Sequence, residues 1–191
     1  MKHVLVFGDT HIPTRRDTIP VEFYNHIENT NYDLALITGD LVREQDMRAA
    51  LPPLPRCHIV TGNMDHGSEY SFHEIVAIDD FRILLIHGTQ LRPRGNLEQL
   101  WEITMGVRAN IAVHGHTHKS EVMLYKGRLL LNPGTLSGAT GGWSGRTDAS
   151  FIELEITKRQ VEVVLHLTDW HLEKVSRMTY SLTDSNGMIS C

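Results

Sequence analysis

Short, unbroken apolar runs alternate with stretches of helical spacing along the first third of the chain. Residues 3–7 (His-Val-Leu-Val-Phe) and 33–37 (Asp-Leu-Ala-Leu-Ile) carry little polar interruption, the pattern of strands buried on both faces. Between them, Thr18 is placed to cap a helix over 19–29 with Pro20 in its first turn. A short polar helix is predicted over 43–50, closed off by Pro52, Pro53 and Pro55. Residues 56–61 form a third apolar run that ends at Gly62. This β–α–β–α–β order predicts a parallel sheet covered by helices.

The pattern then changes. Runs at 74–78 and 81–86, separated by Asp79-Asp80, predict a hairpin. Asn96 followed three residues later by Gln99 opens a helix with Leu97, Leu100, Trp101 and Thr104 on one face and Gly106 at its end. After a very short strand at 111–113, strands are predicted at 121–125, 128–131, 149–156, 160–167 and about 174–182. The glycine-rich stretch 138–145 reads as a surface loop, and 183–191 reads as a frayed tail.

Composition narrows the class. With 191 residues, a single domain over 1–182 is expected. Two cysteines give no disulfide framework. No apolar run approaches the roughly 18 residues that span a bilayer, and the first residues are too quickly polar for a signal peptide, so a cytoplasmic location without membrane contact is expected. A net charge of −5 argues against a dedicated nucleic-acid binder. The unusual number is twelve histidines.

Where the polar residues fall is more telling. The runs end in Gly8-Asp9-Thr10-His11, Gly39-Asp40, Gly62-Asn63-Met64-Asp65, His87-Gly88, His114-Gly115-His116-Thr117-His118 and Asn132-Pro133-Gly134-Thr135. In an open α/β sheet, ligands bind beyond the carboxyl ends of the strands. Six successive strand ends, each with a polar donor beside a glycine, therefore point to one place. Oxygen and imidazole donors without thiolate suit Mn, Fe, Zn, Co or Ni, and the donors exceed the needs of one ion.

Asp9-Thr10-His11, Gly39-Asp40, Gly62-Asn63-Met64-Asp65, His87 and Gly115-His116-Thr117-His118 together resemble the calcineurin-like metallophosphoesterase superfamily. Asp9-Thr10-His11-Ile12-Pro13, His87-Gly88-Thr89-Gln90 and Asn132-Pro133-Gly134-Thr135 are most similar to its small compact branch, which holds bacterial and archaeal phosphodiesterases and the small retromer subunit of eukaryotes. The resemblance implies an α/β fold, a four-layer αββα sandwich of two mixed β-sheets flanked by helices. It implies two divalent metal ions, Mn first, with Ni, Co, Fe, Zn or Mg as alternatives. One ion would be held by Asp9, His11, Asp40 and His118, the other by Asp40, Asn63, His87 and His116, with Asp40 bridging. The implied activity is that of a metal-dependent phosphoesterase, a hydrolase attacking a small phosphodiester with a hydroxide held between the metals. Asp40 and Asn63 would serve catalysis as well as binding. Asp65 would orient its loop or His11.

Met64 departs from the family, many of whose members carry a histidine there that protonates the leaving oxygen. A thioether cannot do this, so Met64 is expected to pack, and poor leaving groups are expected to turn over slowly. His66 is a candidate substitute acid. His114 is expected outside the ligand set. Arg15, Arg92, Arg94 and Lys119 are candidates for a substrate phosphate, and Trp143 for stacking or packing. His3, His26, His58, His73, His166 and His171 fall in no pattern and are expected in structural or surface positions.

The alternative function is a scaffold for protein partners resembling the small retromer subunit, with little or no catalysis. Retention of Asp40 and Asn63 favours the enzyme. A nuclease ranks third, since nucleic acid is disfavoured by charge. A homodimer stays open.

Overall fold

The computed structural model describes residues 1–67, 69–142, 144–183 and 187–191; Trp143 lies outside the described residues. Fifteen elements follow in order: β1 (Lys2–Phe7), α1 (Val21–Glu28), β2 (Leu34–Ile37), α2 (Glu44–Ala50), β3 (Arg56–Ile59), β4 (His73–Ile78), β5 (Phe81–Ile86), α3 (Leu97–Gly106), β6 (Ile111–Val113), β7 (Ser120–Tyr125), β8 (Arg128–Pro133), β9 (Ala149–Thr157), β10 (Gln160–Thr168), β11 (Glu173–Leu182) and β12 (Ile189–Ser190).

They form two mixed sheets, one of seven strands in the order β12-β11-β10-β9-β1-β2-β3 and one of five in the order β4-β5-β6-β8-β7. The parallel strands are β1, β2 and β3 in the first sheet, with β3 at its edge, and the interior strands β5, β6 and β8 in the second. Three apolar clusters separate the layers. Val4, Val6, Leu36, Ile83, Leu85, Val113, Leu131, Ile152 and Leu154 fill the space between the sheets. Leu5, Phe7, Phe23, Ile27, Met47 and Phe151 join the seven-stranded sheet to α1 and α2. Leu84, Ile86, Leu91 and Leu100 join the five-stranded sheet to α3. The four-layer α/β sandwich follows from strands apolar on both faces, each buried aliphatic side chain adding about 1.5–3 kcal/mol.

Local chemistry explains the agreements and the departures. Asn96 caps α3, its side chain accepting the Gln99 N–H. The Gln99 side chain does not return to Asn96 but accepts the Arg92 N–H at 2.6 Å, so only half of the capping box forms. Thr18 does not cap α1. The helix starts at Val21 after Pro20, whose ψ of 137° is extended, because Ile19 is held in the core while Thr18 faces solvent.

The expected frayed end does not describe residues 189–190. Ile189 is buried and pairs with Leu182, because one apolar side chain can close the base of the sandwich. Nor is 138–145 wholly a surface loop. Ala139 is fully buried, and its carbonyl is used by the site described next. No helix among the described residues is long and apolar enough to cross a membrane.

Candidate metal centre

The carboxyl ends of β1, β2, β3, β5, β6 and β8 meet at one rim, and the polar residues beyond them converge there. Their loops are laced together by backbone bonds: Asp9 N–H to the Gly39 carbonyl at 2.9 Å, His11 N–H to Asp40 at 3.0 Å, and Gly115 N–H to His87 at 2.9 Å. The rim is backbone-strained. Asp9, His11, Asp40, His116 and His118 all have φ between 47° and 70°, the left-handed region that costs an L-residue about 1–2 kcal/mol. Such strain persists where the surroundings over-determine it, as they do at functional sites.

Two trios result. Ligand atoms of Asp9, His11 and His118 lie within 4.8 Å of one another, as do those of Asp40, His87 and His116. Asp40 joins them, with Oδ2 lying 3.4 Å from His11 Nε2 and 3.6 Å from His87 Nε2. Asn63 Oδ1 lies 3.2 Å from His87 Nε2. Carbonyls set the imidazole tautomers: His87 Nδ1 bonds the Thr38 carbonyl at 2.7 Å and His118 Nδ1 that of Ala139 at 2.6 Å. Both rings must donate through Nδ1, so their Nε2 lone pairs face the centre. His118 Nε2 then meets His11 Nε2 at only 3.2 Å.

The donors fit a divalent cation. Asp9 Oδ1 is buried with no hydrogen-bond partner. Burial, and then the Asp40 charge, push the Asp9 carboxyl well above its ordinary range; burial likewise raises Asp40. A cation between the two buried carboxylates would relieve this repulsion and hold both ionised.

Comparison with known proteins decides the family. Residues 1–156 match the model of the calcineurin-like phosphoesterase superfamily domain. The chain belongs to that superfamily. It is 35% identical over 132 residues to a protein described as a probable metallophosphoesterase from Methanothermobacter thermautotrophicus, covering 68% of this chain and 74% of that one. It superposes on Vps29 of Entamoeba histolytica in complex with zinc with a TM-score of 0.82 at 30% identity, covering 93% of this chain and 98% of the other. A predicted phosphoesterase from Streptococcus pneumoniae shares the fold, with a TM-score of 0.66 at 20% identity over 93% and 98% of the two chains.

Around the centre of this calcineurin-like domain, several residues take parts that their spacing does not reveal. Asp65 is not turned toward His11. Its carboxylate accepts four backbone N–H groups, from Asp40 (2.7 Å), Leu41 (2.7 Å), Val42 (2.8 Å) and Gly62 (2.8 Å). It is a positioning residue for the Asp40 loop. Met64 does more than pack, because its N–H donates to Asp40 Oδ1 at 2.7 Å. Asn132 holds the turn carrying His116 and His118, its amide donating to Thr117 Oγ1 at 2.9 Å. His114 is buried beside Asn132, 3.4 Å from its amide.

His66 is exposed and lines a separate pocket with Leu41, Val42, Glu44 and Tyr70; it is not among the converging ligand atoms. Of the four cations, Arg94 and Lys119 line a cavity of about 370 Å³ beside His118, joined by Arg146, which the sequence reading missed. Arg15 is tied to the Thr140 carbonyl at 2.7 Å, and Arg92 donates to the carbonyls of its own loop.

Gly62 is required by close approach. A Cβ there would sit 2.2 Å from Asp40 Oδ1 and 2.3 Å from the Asp40 nitrogen. Gly62→Ala must displace the Asp40 loop and should weaken Mn²⁺ binding by about 10–100-fold, read by calorimetric titration; unchanged affinity contradicts the packing argument.

Protonation has a definite sign in the metal-free protein. Burial lowers His11 to about 3, with Arg15 adding to it, and lowers His114, His116 and His118 to about 4. As pH falls below 6.5 the unfolded chain gains protons at these four positions before the folded one does, so stability falls from about pH 6.5 toward pH 4. Asp9, Asp40 and His3, with raised pKa, act in the opposite direction but are outnumbered. Urea denaturation in chelator at pH 7, 6 and 5 should show a falling midpoint; a flat profile contradicts it.

Proposed function

We propose that this protein hydrolyses phosphodiesters with two divalent ions, manganese first, held by Asp9, His11, Asp40, Asn63, His87, His116 and His118. One ion would take Asp9, His11, Asp40 and His118, the second Asp40, Asn63, His87 and His116. The observation that carries the reading is the position of Asp40 Oδ2 near histidines of both trios, where one carboxylate could be shared by two cations. When bound, the ions supply Lewis acidity at the phosphate oxygens and a water of near-neutral pKa.

The chain's own residues do the rest. Asp40 and Asp9 supply the negative charge that keeps the site loaded. The carbonyls of Thr38 and Ala139 hold the His87 and His118 rings in their ligating tautomer. Arg94, Lys119 and Arg146 offer positive charge in the cavity next to His118, where a further anionic group of the substrate would lie.

No side chain at position 64 protonates the leaving oxygen, and the Met64 N–H is already committed to Asp40. Turnover of an alkyl phosphodiester should therefore lag that of an aryl one by about 10²–10⁴-fold beyond the solution difference, and His66→Ala should leave both rates unchanged. A rate loss in His66→Ala, with its pH profile altered, would restore that residue as the acid.

The test of the function is a panel of diesters, monoesters and nucleotides run with several divalent metals. Expected is chelator-sensitive diester hydrolysis greatest with Mn²⁺. A second reading, a scaffold for protein partners, draws on the likeness to Vps29. No turnover anywhere in the panel would favour it.

A further inference from the structure

Three of the histidines without a sequence pattern meet beneath α1, on the outer face of the seven-stranded sheet. Glu153 stands in the middle of β9 opposite Leu5 of β1, its side chain only 6% exposed. Its Oε1 lies 3.0 Å from His26 Nε2 on α1 and 3.5 Å from His3 Nε2 on β1. Its Oε2 lies 2.8 Å from His166 Nε2 on β10. Ligand atoms of His26, Glu153 and His166 all fall within 4.8 Å of one another.

Outer partners hold the His166 and Glu153 side chains in place. His166 stacks on Phe151 at 4.3 Å and 4°, and its Nδ1 faces Glu173 Oε1 at 3.3 Å. A carboxylate on the far nitrogen is what orients imidazoles that bind metal through Nε2. Tyr32 donates its hydroxyl to Glu153, as outer partners of ligating carboxylates do. His3 Nε2 is buried with no hydrogen bond of good geometry, 3.5 Å from Glu153 Oε1, and the Glu153 carboxylate raises the pKa of the ring. His26, 35% exposed, leaves an entry path.

We propose that His3, His26, His166 and Glu153 form a second cation site, structural and separate from the phosphoesterase centre, for one zinc-type divalent ion. Three imidazoles and one carboxylate with no thiolate suit Zn²⁺ and its transition-metal neighbours; Mg²⁺ and Ca²⁺ prefer all-oxygen shells. Bound there, the ion fastens α1 to β1, β9 and β10 and stabilises the folded chain by mass action.

The test uses the full chain and Zn²⁺ alone. In an Asp9→Ala/Asp40→Ala background, which disables the first site, chelator-stripped protein given Zn²⁺ and gel-filtered should retain about one zinc per chain and gain thermal stability. Adding His26→Ala should lower zinc affinity at least about 100-fold and remove the thermal gain. In the otherwise native chain, His26→Ala should lower total zinc from about three to about two per chain while phosphodiester turnover is kept. That arm answers the question if the double variant fails to fold. No zinc uptake in the first-site-disabled protein, or affinity unchanged by His26→Ala, would overturn the proposal and leave a hydrogen-bonded histidine–glutamate network.

Discussion

Asp40→Ala lowers kcat/KM on an aryl phosphodiester by about 10³-fold or more at saturating Mn²⁺, the size of effect seen when a key electrostatic group is removed from a reacting centre. Asp9, His11 and His118 belong to one trio and His87 and His116 to the other, but Asp40 Oδ2 lies 3.4 Å from His11 and 3.6 Å from His87. Removing it would leave four imidazoles, Asp9 and Asn63 to hold the two proposed dications. Asp40→Asn separates charge from shape. Its amide can still accept the Met64 N–H that Oδ1 accepts now, yet it supplies no bridging charge. Both variants should be folded and nearly inactive, with metal stoichiometry reduced. Activity within tenfold of the parent in Asp40→Asn would contradict the bridging role.

Asp65→Ala should be the most destabilising single change near the site although Asp65 touches no candidate ligand side chain. Four backbone N–H groups at 2.7–2.8 Å lose their acceptor at once. A hydrogen bond to a charged group contributes about 1.5–3 kcal/mol; allowing for partial access of water, about 3–5 kcal/mol is expected in urea denaturation. For a domain of this size that lowers Tm by about 10 °C. Asp65→Asn should recover only part of the loss, because its amide nitrogen must face backbone donors. A Tm within 2–3 °C of the parent, about 1 kcal/mol, would show that the loop carries itself.

The fold and the rim of the site were readable because both rest on local signals. Apolar runs such as 3–7 and 33–37 report strands buried on both faces, and the polar residues that end them must lie at the carboxyl edge. What was not readable rests on contacts between distant segments. In sequence Asp65 reads as orienting either its loop or His11; only the folded loop shows its carboxylate taken up by the 40–42 turn and Gly62. The Met64 side chain predicts packing, whereas its N–H positions Asp40. Arg146 sits beyond the last motif and reaches the cavity through the pairing of Ala139 with Arg146. His3, His26, Glu153 and His166 come from four elements, and a lone histidine in a strand carries no sign of the face it shares. Ile189, amid Ser, Asn and Gly, could not announce a two-residue strand.

Crystals soaked in Mn²⁺ and measured at the manganese absorption edge test the central claim most directly. Two anomalous peaks flanking Asp40 are expected, one against Asp9, His11 and His118, the other against Asn63, His87 and His116. A single peak, or none at this rim in protein that hydrolyses phosphodiesters, would contradict a dinuclear centre built from these strand ends.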